Sequence, residues 1–146
     1  MAPMCMYESD EDGMVNDFHV IHYATRAMGG VGLIIQEATA VDPDGRITKN
    51  DLGIWSDEHI EGLKAIVDTV HSYNTPIGIQ INHAGRQSSI FSTFKPIAPS
   101  PVALKKLFLF KTPREMTTLE IKDVINRFVK AAQICQKAGF TGVQIH

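Results

Sequence analysis

The chain has 146 residues, a net charge of −2, and 44% hydrophobic against 21% charged side chains. That composition is ordinary for a globular domain with enough apolar material for a core, and its near-neutral balance leaves no basic footprint for nucleic acid. No segment reaches the roughly 18 apolar residues that a membrane helix needs.

The opening Met1-Ala2-Pro3-Met4-Cys5 has neither the basic start nor the apolar run of a signal peptide. Met4-Cys5-Met6 reads as the tail of a first strand. The acidic run from Glu8 to Gly13 fails as a calcium loop, because the position that needs a bidentate Glu is His19. It reads as a solvated turn. A helix is predicted from about Asp17 to Met28, ended by Gly29-Gly30. His19 and His22 share one of its faces, but no third metal ligand stands out, so they pack or face solvent.

Val31-Gly32-Leu33-Ile34-Ile35 reads as a second strand. The loop from Glu37 to Ser56 follows it, with Asp42-Pro43-Asp44-Gly45 as turn chemistry. Ile60, Leu63, Ile66, Val67 and Val70 then fall on one helix face, with His59 and His71 read as surface residues. Ile77 to Ile81 is a third strand, followed by the long loop from Asn82 to Met116. In that loop Lys105, Lys106 and Lys111 alternate with Leu107, Phe108, Leu109 and Phe110, which reads as a solvated or partner-facing stretch. Thr117 and Glu120 make a capping box for a helix whose apolar face is Ile121, Val124, Ile125, Phe128, Ala131, Ala132 and Cys135. Gly139 stops it. Gly142 to Ile145 is a fourth strand of buried type, ending on His146.

The order is therefore β-α-β-α-β-α-β. Near-continuous apolar strands alternating with helices imply a parallel sheet with right-handed crossovers. Long loops follow strands and short ones follow helices, as in a (β/α)8 barrel, whose chemistry sits on the loops after the strands. The fold class is α/β, a TIM barrel. A doubly wound sheet lacks support because no Gly-rich fingerprint follows the first strand. A full barrel takes about 250 residues, so residues 1–146 are expected to be the N-terminal half of a single domain, with about four strands, three helices and raw sheet edges prone to pairing. Cys5 and Tyr7 after strand one, Glu37 and Ala38 after strand two, Gln80 at the end of strand three and His146 at the end of strand four would line one mouth. Cys5 and Cys135 fit neither a disulfide framework nor a zinc spacing, and a reducing, cytoplasmic compartment is expected.

Motifs run along the whole chain in order. They are Ala2-Pro3-Met4-Cys5-Met6-Tyr7, His22-Tyr23-Ala24-Thr25-Arg26-Ala27, Gly32-Leu33-Ile34 with Glu37-Ala38-Thr39-Ala40-Val41, Gly45-Arg46-Ile47, Gly53-Ile54-Trp55, Gln80-Ile81-Asn82-His83-Ala84-Gly85-Arg86, Thr112-Pro113-Arg114-Glu115-Met116-Thr117, and Ala138-Gly139-Phe140 leading to His146. This pattern resembles the Old Yellow Enzyme family of FMN-dependent oxidoreductases, in its bacterial thermophilic-like branch.

The resemblance implies a (β/α)8 barrel carrying FMN at its C-terminal mouth and reduced by NADPH. Ala2, Pro3, Met4, Cys5 and Ala38 would run along the flavin, Gln80 would meet its pyrimidine edge, and Cys5 would modulate its potential. Tyr7 and His146 would face the carbonyl of an enone-type small-molecule substrate whose C=C bond is reduced. His83, Arg86 and Arg26 would support the loops. A full-length form would be a homo-oligomer. A chain without the later phosphate-binding loops is expected to bind FMN weakly or not at all. A dienoyl-CoA reductase-like flavoenzyme and a non-catalytic truncated product are the competing readings. The Cys5-Met6-Tyr7 motif argues against the first.

Overall fold

A computed structural model describes residues 1–104 and 108–146. Lys105, Lys106 and Leu107 of the basic stretch lie outside the described residues.

Helix α1 spans Asp17–Met28 and begins where Asn16 accepts the Phe18 N–H while the His19 ring accepts the Asn16 N–H, a reciprocal cap. Strand β1 (Ile34–Ala40), helix α2 (Ile60–His71) and strand β2 (Ile77–Asn82) follow. Short strands β3 (Ile97–Ala98) and β4 (Arg114–Glu115) come next, then helix α3 (Thr118–Ala138) and strand β5 (Gly142–Ile145). The main sheet is parallel in the order β1-β2-β5. Parallel neighbours joined through helices, with the chain order kept in the sheet, form one half of a (β/α)8 barrel wall. Gly78 suits its place in that wall, because a Cβ there would come within 3.1 Å of the Gly142 carbonyl oxygen on the next strand.

The core lies between sheet and helices. Ile34, Ile66, Val67, Val70 and Ile77 pack with Tyr23 and Ala27, and Leu63, Ile79 and Ile81 pack with Ala131, Ile134 and Cys135. The α2 face predicted from its spacing is the buried one. For α3 the capping box of Thr117 and Glu120 forms as expected, and Gly139 ends the helix in the left-handed region at φ 91°. Its buried face differs, however. Ala131, Ile134, Cys135 and Ala138 are buried, while Ile121 and Ile125 are exposed. The second apolar stripe, Val124, Ile125, Phe128, Val129 and Ala132, lines an open cavity of about 430 Å³ with Ile81 and Ile145.

Five further expectations are corrected. Met4-Cys5-Met6 is not a strand: only Met1 reaches β1, accepting the Ile35 N–H and donating to Leu33 O. The main sheet accordingly has three strands, while the loop after β2 carries the unpredicted parallel pair β3–β4. Strand β1 starts at Ile34 and runs on through Gln36, Glu37 and Thr39, so Glu37 and Ala38 lie inside it, as Gln80 lies inside β2. A search for apolar runs misses a strand whose polar side chains are buried by mutual hydrogen bonding. Strand β5 is exposed along its length, since nothing packs against its outer edge, and His59 is buried against Trp55 (ring centroids 4.7 Å apart). No helix among the described residues is long and apolar enough to cross a membrane.

Candidate active site

The C-terminal edge of the sheet is where the predicted residues gather, and a defect in β1 helps to build it. Gln36 pairs with Ile79 and Thr39 pairs with Ile81, so Glu37 and Ala38 together oppose the single residue Gln80. This is a β-bulge, which bends a strand and re-aims its side chains. It breaks the alternation, leaving Gln36 and Thr39 on one face with Gln36 Nε2 donating to Thr39 Oγ1 at 3.3 Å. The small side chain of Ala38 stands opposite Gln80.

Gln80 Nε2 donates to Gln144 Oε1 at 2.8 Å across β2 and β5. The pair leaves the Gln80 carbonyl and the Gln144 amide as an acceptor and a donor side by side. Gln144 was not singled out from the sequence, although a polar residue two positions before His146 on an otherwise apolar strand was the available signal. His146 continues the line of β5, its N–H donating to Ile81 O at 3.0 Å.

The segment from Ala2 to Tyr7 lies beside β1 without joining its ladder. The Cys5 thiol lies near the Tyr7 phenol and the backbone N–H of Ala38. Burial is the main reason the thiol pKa is raised, with the carboxylates of Asp51 and Glu37 adding to it. Tyr7 is pushed up to about 12, again mainly by burial. Both groups are therefore neutral donors at physiological pH, and neither is a ready nucleophile. Tyr7 sits at φ 57°, in the left-handed region that a bulky residue occupies only when its surroundings impose it. Met4 and Tyr7 remain exposed at 66% and 42%.

Beneath this segment are two buried carboxylates. Glu37 Oε2 accepts the Met6 N–H at 2.7 Å, and its Oε1 accepts the Tyr23 O–H at 3.0 Å. Asp51 accepts from the Ile47 and Thr48 N–H groups and from the Thr48 hydroxyl. Burial raises both carboxyl pKa values, against the lowering effect of these donors. Among the residues expected to support loops, His83 Nδ1 accepts the Gly85 N–H, and Arg26 donates to His22 O within α1. His19 and His22 are buried and stack with Phe18 and Tyr23, and the described residues include no cluster of three or more metal-ligating side chains.

A parallel half-barrel wall with a polar amide pair, a small-residue bulge and a thiol and a phenol near its C-terminal edge defines the class: one half of a (β/α)8 barrel with polar side chains at the strand mouth. Comparison with known proteins gives the particular family. Residues 1–146 match the model of the NADH:flavin oxidoreductase / NADH oxidase family, and the chain belongs to it. It is 51% identical over 146 residues to an NADPH dehydrogenase of Clostridium acetobutylicum and 47% identical over 147 residues to one of Bacillus subtilis, in each case covering 100% of this chain and 42% of the relative. Among solved structures it resembles morphinone reductase (TM-score 0.89, 31% identity, 100% of this chain and 42% of that one) and an Old Yellow Enzyme homologue from Zymomonas mobilis (TM-score 0.90, 32% identity, 100% and 43%). The chain thus spans less than half the length of the relatives it matches. The expected fold and family stand, and FMN and NADPH are the cofactors of this family.

Proposed function

We propose that the intact protein carrying this chain reduces the activated C=C bond of α,β-unsaturated carbonyl compounds with electrons from NADPH. The observation that carries the reading is the meeting of the Cys5–Tyr7 pair with Ala38 at the bulge opposite Gln80. The residues fit FMN in kind. Gln80 and Gln144 offer an acceptor and a donor to the pyrimidine edge, Ala38 and the Ala2–Cys5 strap offer flat, small surface, and the Cys5 thiol is a soft neutral contact. When bound, FMN supplies the hydride relay between nicotinamide and substrate.

The chain's own part is positioning and electrostatics. Tyr7 and His146 hold the carbonyl oxygen of the substrate by hydrogen bonds, drawing charge away from the β-carbon that receives hydride. Tyr7 keeps its proton at neutral pH and so remains a donor throughout. Ala2, Pro3 and Met4 would lie along the ring when it is bound. Both cysteines are free, in keeping with a reducing, cytoplasmic compartment.

The test is anaerobic spectroscopy of the purified intact protein. A yellow flavin band should bleach with NADPH and return on adding 2-cyclohexenone, with the saturated ketone as product. A protein without flavin, or a reduced flavin that the enone leaves bleached, sinks the proposal.

A further inference from the structure

We propose that Glu37 is the positioning residue of this site: its side chain replaces the missing strand pairing of the N-terminal segment and so sets where Cys5 and Tyr7 stand. The reaction assigned to Cys5 and Tyr7 rests on the functional reading above, but the contacts of Glu37 do not.

Pairing with β1 stops at Met1, although a strand was expected through Met6. Met6 instead gives its N–H to the Glu37 carboxylate at 2.7 Å, and the Tyr7 N–H meets the same group. A side-chain carboxylate thus does what a neighbouring backbone carbonyl would do in a sheet. It can do so because the bulge at Glu37 and Ala38 removes Glu37 from the regular alternation of β1. The carboxylate is itself held. Tyr23 on α1 donates its O–H to Oε1 at 3.0 Å, and the same phenol oxygen accepts the Glu37 N–H at 3.0 Å. Tyr23 is 1% exposed and Glu37 is 2% exposed, so neither partner has room to swing away. Helix α1, strand β1 and the Cys5–Tyr7 segment meet at this one group. Tyr7, in the left-handed region, follows directly on the amide that Glu37 fixes.

No cation pairs with Glu37 among the described residues. The titratable groups facing it are Asp51, Cys5, Tyr7 and Tyr23. Its charge is stabilised by N–H and O–H donors alone, and it lies close enough to bear on the Cys5 thiol.

The test compares Glu37→Gln and Glu37→Asp with the parent in the intact protein. Two readouts are taken: hydrogen exchange of the Met6 amide, and iodoacetamide alkylation of Cys5 from about pH 7 to about pH 10, the range around the ordinary thiol pKa. Peptide mass spectrometry resolves Cys5 from Cys135, whose buried thiol is pushed up to about 12 and reports on the fold. Glu37→Gln should move the Cys5 alkylation midpoint to lower pH and speed Met6 exchange several-fold, with Cys135 still closed. Glu37→Asp keeps the charge but is one methylene too short, so Met6 should lose protection while the alkylation profile stays nearer the parent's. The proposal is overturned if Met6 keeps its protection in both variants, or if the Cys5 profile of Glu37→Gln matches the parent's. It is also overturned if Cys135 opens in step with Cys5, because Glu37 would then be holding the fold and not the segment. None of these readouts needs flavin, so a protein without flavin would overturn the functional reading and leave the Glu37 result standing.

Discussion

The side-chain amide of Gln80 donates to the side-chain carbonyl of Gln144 across two parallel strands, at 2.8 Å. Each amide fixes the rotation of the other, so the free acceptor of one and the free donor of the other present a single polar edge. If a ring carrying alternating donors and acceptors binds there, as proposed, an edge fixed in advance would lower the ordering cost of binding.

Replacing Gln80 with Leu should therefore weaken FMN binding by the intact protein about tenfold, or about 1.4 kcal/mol, the range for a lost hydrogen bond to a buried polar edge. Gln144→Leu should weaken it less, by freeing Gln80 to rotate. Flavin fluorescence titration measures both, and affinities equal to the parent's in the two variants would count against the amide pair as a flavin contact.

Core burial and surface pairing should separate clearly on α2. Leu63 is fully buried between α2 and the sheet, and Leu63→Ala should cost about 2–5 kcal/mol through lost transfer energy and a residual cavity. Its neighbour Lys64 pairs with Asp68 at 2.8 Å on the exposed side, and Lys64→Ala should cost only about 0.3–0.5 kcal/mol. Thermal unfolding of the two variants under one buffer gives the comparison.

The cap of α3 is a local test. Thr117 accepts the Glu120 N–H through its hydroxyl, while Glu120 accepts the Thr117 N–H at 2.8 Å and also pairs with Arg114. Thr117→Ala should lower stability by about 1 kcal/mol, and Thr117→Ser should restore most of it. A Thr117→Ala protein with the parent's unfolding temperature would show that the first turn is held by the Arg114–Glu120 pair alone.

Acid should destabilise the fold through its buried histidines. Burial lowers the pKa of His19, His22, His59 and His83 in the folded chain. Between the folded value and the ordinary value of about 6.5, the unfolded chain then binds more protons, so stability is full above about pH 6.5 and falls as pH drops below it. Glu37 and Asp51 have the opposite sign: their raised pKa values make the folded state the better proton acceptor, so their contribution falls as pH rises from the ordinary carboxylate value of about 4 to the folded value. His59 is the cleanest histidine to remove, with its Nε2 buried and unpaired. His59→Phe should flatten the decline of unfolding temperature below pH 6.5, and an equally steep decline would assign the effect to the other three.

How much of this was legible depended on periodicity. The helices could be read from local signals: Gly29-Gly30 ends α1, the spacing of Ile60, Leu63, Ile66, Val67 and Val70 marks α2, and Thr117, Glu120 and Gly139 bound α3. Strands β2 and β5 could be read because their residues are apolar in sequence. Strand β1 was misplaced because Gln36, Glu37 and Thr39 look like loop residues until their partners are known. The parallel pair β3–β4 joins Ile97 to Arg114 across a long loop, with no local pattern to announce it. On α3 the expected face was right at Ala131 and Cys135 and wrong at Ile121 and Ile125, because spacing shows that an apolar stripe exists and not how much of it meets the sheet.

The sequence by itself determined the order of helices and strands from α1 onward, the helix ends and the family, all of which depend on local pattern or motif. Only the tertiary structure decided that the N-terminal segment leaves the sheet after Met1, that β1 bulges opposite Gln80, and that Glu37 and Tyr23 catch the Met6 backbone. Those features come from hydrogen bonds between residues far apart in the chain, such as Met6 and Glu37, and a buried polar group takes whichever partner the packing brings within reach.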